Sequence, residues 1–90
     1  MICPEWQERQ LIPPLNKEVW YELLRLGMDI YDVVYILENG YDCPMGKRRK
    51  GIFEKCIRRR DRIIKVVVEL KLSKRGVEYW KLRHVGEYGV

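Results

Sequence analysis

Hydrophobic positions change period near Gly40. Upstream of it, Val19, Trp20, Leu23 and Leu24 recur at helical spacing and predict a helix over residues 17–26, with Asn16 as N-cap and Gly27 as a left-handed C-cap. A second helix is predicted over 29–39. Asp29 is its N-cap, Asp32 stands three residues on, and Met28 can staple over Val33. Ile30, Val33, Val34 and Leu37 form its apolar stripe, and Asn39-Gly40 closes it. Downstream the period falls to two. In residues 63–72 the apolar Ile64, Val66, Val68, Leu70 and Leu72 alternate with Lys65, Glu69 and Lys71, the pattern of a strand with one buried face. Tyr41 to Cys43 reads as a further short strand ahead of a Pro44-Met45-Gly46 turn.

Two hairpins set the register. A three-residue loop at Lys74-Arg75-Gly76 places Leu70 beside Trp80, Val68 beside Leu82 and Val66 beside His84 on the core face. A two-residue turn at Arg60-Asp61 pairs Ile57 with Ile64 and Phe53 with Val68. Lys55 is the one misfit, directed at the margin of the core. Residues 1–15, punctuated by Pro4, Pro13 and Pro14, read as a leader, with a short helix over 4–10 that the proline pair ends. The expected fold class is therefore α+β: a single domain over residues 1–90, with the leader at 1–15, a helical pair at 16–40 and the sheet at 41–90. Two helices would pack on one face of a three- to four-stranded antiparallel sheet.

Charge makes the open face of that sheet interesting. Residues 1–42 hold three basic residues against eight acids, for −5, whereas residues 43–90 hold fifteen against five, for +10. Residues 47–60 alone carry eight basic residues and one acid. Such asymmetry steers polyanions to one side of a molecule. The register leaves Glu54, Cys56, Arg58, Lys65, Val67, Glu69, Lys71, Tyr79, Lys81 and Arg83 on the uncovered face. Cations beside an aromatic suit a phosphodiester backbone, but cross-strand ion pairs such as Glu69 with Lys81 would suit a merely solvated face equally well.

The remaining composition mostly excludes. No apolar run is long enough to span a bilayer and residues 1–10 are too polar for a signal peptide, so no membrane partner and a cytoplasmic location are expected. The chain has no Ala or Thr, one Ser and few amides, a bias resembling proteins of hot environments. Cys3, Cys43 and Cys56 lack CxxC spacing, and with His84 they suggest no metal site; buried reduced thiols are expected, with a single bridge the alternative in a hyperthermophile.

The stretch Gly27-Met28-Asp29-Ile30-Tyr31-Asp32-Val33, running on to Leu37-Glu38-Asn39-Gly40 and then a basic loop and hairpin strands, resembles a widespread family of small uncharacterised proteins. That family is grouped with the RelE-like toxins, within a broader set of ribonuclease folds that includes barnase and colicin D. The resemblance covers residues 17–86. It implies helices on one sheet face, an active site on the other, cleavage of messenger RNA (usually on the ribosome) and an acidic antitoxin as protein partner. Members usually carry a His and an Arg around the first helix. Here that helix reads Trp20-Tyr21-Glu22-Leu23-Leu24-Arg25-Leu26, without the His and with Arg25 one position displaced.

Cleavage of RNA by its own 2′-hydroxyl needs a base, a cation for the phosphorane-like transition state and an acid for the 5′-oxygen. Arg83 is the candidate stabiliser, with Arg58 and Lys81 as neighbours. His84 has the right intrinsic pKa for the base, but the register turns it inward as a structural group; Glu69 or Glu54 could serve instead, and Tyr79 or Tyr88 as acid. Lys47, Arg48, Arg49, Lys50, Arg58, Lys65 and Lys81 are the expected RNA contacts. No cofactor is implied. The alternative is a module that binds nucleic acid or an acidic partner without catalysis.

Overall fold

The computed structural model describes residues 3–44 and 49–89. Its elements in chain order are β1 (Glu5–Trp6), β2 (Arg9–Ile12), α1 (Lys17–Arg25), α2 (Ile30–Asn39), β3 (Ile52–Arg59), β4 (Arg62–Leu72) and β5 (Glu78–Gly89). Both helix starts are fixed by their caps. The Asn16 carboxamide oxygen accepts from the Glu18 N–H at 2.8 Å. Asp29 accepts from the N–H groups of Tyr31 and Asp32, while the Asp32 carboxylate accepts from the Asp29 N–H, a complete capping box. Gly27, at φ +65°, makes the turn between the helices.

The sheet differs from expectation. It has five strands in the order β1-β2-β5-β4-β3 and is mixed rather than antiparallel, because β2 runs parallel to β5 with Leu11 opposite Trp80 and Ile12 opposite Lys81. The leader supplies the extra strands instead of a short helix. Its Gln7-Glu8 turn, with φ of 51° and 66°, folds β1 back on β2, and this lets both Trp6 and Leu11 reach the core. Pro13 and Pro14, which lack the N–H a ladder needs, then carry the chain away from β5. Tyr41 forms only an isolated bridge to Cys56, not a strand.

Residues 62–72 are an interior strand between β5 and β3 rather than the central one, which is β5, but both hairpin registers hold near their turns: Ile57 pairs with Ile64, Phe53 with Val68, Leu70 with Trp80 and Val68 with Leu82. α1 lies against β5 and α2 against β3 and β1. Between helices and sheet are Leu11, Leu23, Val33, Leu37, Ile64, Val66, Val68, Trp80 and Leu82, all nearly solvent-free. Leu70 is half-buried at the edge of this core. On α1 only Val19 and Leu23 of the expected stripe are buried; Trp20 and Leu24 are 45% and 62% exposed, since a nine-residue helix packed on β5 offers the core only its narrow inner face. Lys55 does sit at the core margin, paired through Nζ with Asp42 at 2.8 Å.

The two outer strands meet. Trp6 of β1 and Phe53 of β3, at opposite ends of the strand order, have ring centroids 5.9 Å apart, and both pack on Trp80. The Trp80 indole N–H donates to the Trp6 carbonyl at 2.8 Å. Cys43 and Cys56 form a disulfide, correcting the expectation of reduced thiols for these two, while Cys3 is a free, half-buried thiol; the Tyr41–Cys56 bridge brings the pair close, which their separation of 13 residues does not reveal.

Candidate nucleic-acid interface and catalytic cluster

On the face of β4 and β5 turned away from the helices, one irregularity decides what is displayed. Val68 pairs with Leu82, but the preceding residue of β4, Val67, pairs with His84, so Arg83 is an extra residue in β5. This β-bulge turns Arg83 and His84 out together, between the buried Leu82 and Val85. Continued alternation would have buried His84 against Val66, the arrangement expected from sequence. Val85 takes that place instead, and burying an apolar side chain there avoids the desolvation of an imidazole. The sequence does carry a signal for the bulge. In Leu82-Arg83-His84-Val85 two polar residues separate two apolar ones, which strict alternation cannot accommodate.

Around this pair the register assembles a charged cluster. Arg83 reaches Glu69, with Nη1 to Oε1 at 3.4 Å, and Lys71 approaches the same oxygen at 3.7 Å. Lys65 pairs with Glu54 at 3.5 Å. That contact is an ion pair without a hydrogen bond, and Glu54 Oε2 is buried without one. A shallow pocket of about 360 Å³ is floored by Val67 and walled by Arg49, Ile52, Glu54, Lys65, Arg83 and His84. A second, of about 440 Å³, lies on the other side of His84 and reaches Glu22 and Tyr88. The Tyr88 hydroxyl is 3.4 Å from Cys56 Sγ. Gly86 lies directly under the imidazole: a Cβ there would stand 2.7 Å from His84 Nε2. The Glu22 carboxyl is held below its ordinary value of 4.5, chiefly by its hydrogen bonds from Arg25 and in smaller part by the field of His84.

The structure therefore gathers Arg83, His84, Lys65, Glu54 and Glu69, with Arg49 at the rim. Tyr79 is opposite Lys71, four residues along β4 from Val67, or roughly 13 Å at strand spacing, too far to share a reaction with His84. Arg58 lies at the other end, opposite Ile63, and donates to the Arg60 carbonyl at 3.0 Å. Lys81 is exposed opposite Glu69, yet Glu69 pairs with Arg83 and Lys71 rather than with it. Lys50 adjoins Arg49 before β3, whereas Lys47 and Arg48 lie outside the described residues. The bulge, the close approach of Gly86 and the exposure of His84 were not expected from the sequence.

Among the described residues no group of three or more His, Cys, Asp and Glu side chains could hold a metal ion, and no helix is long and apolar enough to cross a membrane. What the cluster can do chemically is transfer a proton at an imidazole flanked by fixed cations. No protein-family model, no curated protein and no solved structure matches this chain.

Proposed function

We propose that the protein binds RNA on its basic sheet face and cleaves it as a toxin-like, metal-independent endoribonuclease. The observation that carries the reading is the bulge that exposes His84 and Arg83 side by side among cations. A phosphodiester lying over Val67 would have one of its non-bridging oxygens gripped by the Arg83 fork and the other by Lys65. His84 removes the proton from the 2′-hydroxyl, whose oxygen attacks phosphorus. The bond to the 5′-oxygen breaks, that oxygen takes a proton from water in the open pocket, and a 2′,3′-cyclic phosphate remains. Glu69 acts on Arg83 and not on substrate, holding the guanidinium in place through their ion pair.

The α2 capping motif supports a place beside RelE-like toxins, with ribosome-bound message as substrate and an acidic antitoxin as partner. Such a protein would act in the cytoplasm. The Cys43–Cys56 bond fits that compartment in a hyperthermophile, where intracellular disulfides persist and where the scarcity of amides is also at home.

The test is incubation with end-labelled RNA, with and without ribosomes, in the presence of a chelator. Cyclic-phosphate ends are expected from the wild type. His84→Ala and Arg83→Ala should each lower kcat by about 100-fold or more while leaving RNA bound. Salt-sensitive binding without any cleavage would leave a binding module in place of an enzyme. Absence of both would end the RNA reading.

A further inference from the structure

A third concavity, of about 540 Å³, lies around the edge of β3 from the His84 cluster. Trp6, Phe53, Gln7, Lys55, Arg49 and Lys50 are among its walls. Phe53 is the member of the aromatic trio that remains open: it is 42% exposed, while Trp6 and Trp80 are buried against it. The two acids at this site are already engaged, Asp42 by Lys55 at 2.8 Å and Glu54 by Lys65 at 3.5 Å. Among the described residues Arg49 and Lys50 have no carboxylate partner. The site thus offers an accessible aromatic ring beside two unneutralised cations.

Arg49, Ile52 and Glu54 line this concavity and the Arg83–His84 pocket alike, so one continuous surface joins them. We propose that it takes one unpaired base of the bound RNA strand, stacked on Phe53, with the adjoining phosphate held by Arg49 and Lys50. The inference rests on the RNA reading above and narrows it to single-stranded substrate. A base enters such a site only when it is out of a duplex, and aromatic stacking tolerates any base because each has a π-face. The occupant is a nucleotide rather than an apolar peptide because the cationic rim needs an anion next to the ring.

The experiment uses six-nucleotide RNAs with 2′-O-methyl groups throughout, which blocks the attacking hydroxyl and leaves binding alone to be measured. Each position is made abasic in turn. For the wild type, loss of the base at one position should weaken binding roughly five- to 150-fold, with little change elsewhere. Phe53→Leu should weaken the intact RNA by the same factor and should lose nothing more on the abasic RNA at that position. Phe53→Trp, which keeps the stacking surface, should bind as the wild type does. Circular dichroism establishes that the variants fold. If Phe53→Leu does not, the abasic scan of the wild type and of Phe53→Trp decides alone. A uniform response to abasic substitution, or Phe53→Leu binding like the wild type, overturns the stacking site while leaving RNA binding intact. Failure of the wild type to bind any of these RNAs at low salt overturns the RNA reading itself.

Discussion

A methyl group at position 86 would collide with the His84 imidazole, since its carbon would stand only 2.7 Å from Nε2. Gly86→Ala should therefore swing the ring off its seat while leaving the core beneath intact. Its thermal midpoint should stay within a few degrees of the wild type, and RNA cleavage should fall at least about tenfold with binding unchanged. Equal cleavage by the two proteins would mean that the imidazole has no fixed role. Glu22 sets a second expectation at this scale. Its carboxyl titrates below the ordinary value because Arg25 stabilises the charged form, so the native state binds fewer protons there than the unfolded chain. That contribution to stability is present above about pH 4.5 and is lost as pH falls through the lowered value. Arg25→Gln should accordingly melt slightly below the wild type at neutral pH, with the two melting curves converging in acid. The difference is small because Glu22 and Arg25 are partly exposed. The Glu22–Arg25 pair was legible in the sequence, as an i, i+3 pair on the helix expected over 17–26, whereas Gly86 meets His84 only after the strand has bulged.

Elements defined by neighbouring residues were the legible ones. Asn16, Asp29 and Asp32 cap their helices through contacts two or three residues away, and Gly76, at φ +79°, closes the β4–β5 hairpin with Ser73 and Val77 bonded across it. The β1–β2 hairpin was not legible. Its strands are two and four residues long, too short for periodicity to speak, and β2 is held in place by pairing with β5 at Trp80, far along the chain. The bulge falls between these extremes. Since Arg83 is the extra residue, deleting it should restore an unbroken alternation in which Leu82 and Val85 remain buried and His84 remains exposed. The deletion variant should fold with a thermal midpoint near that of the wild type, yet lose cleavage along with the phosphate-gripping fork. Deleting Lys81 instead would set Trp80 and Leu82 on opposite faces and should abolish folding. A collapse of both variants would show that the bulge is required by the fold and not only by the site.

At the scale of the whole molecule, the acidic half of the chain builds the helices and the leader strands, and the basic half builds β3, β4 and β5. This separation was visible in the sequence as a −5 segment followed by a +10 segment, although which cations would be committed to ion pairs was not. Glu69 engages Arg83 and Lys71, and Glu54 engages Lys65, so Lys81 is a cation of the face that these acids leave unneutralised. A side chain that neutralises one phosphate displaces condensed counterions from the strand, and its loss is read directly in the salt dependence of binding. Lys81→Gln should thus weaken every RNA sequence by a similar factor and reduce the slope of log K against log salt by about 0.7 for single strands. Arg83→Ala should lower that slope too, but with the larger loss in kcat, because its fork meets charge that develops in the transition state. Fluorescence anisotropy across a salt titration measures both slopes. If wild-type binding were flat with salt, a polyanion would be excluded as the ligand, and the contact with a partner would have to be sought on the exposed Trp20, Tyr21 and Leu24 of α1 instead.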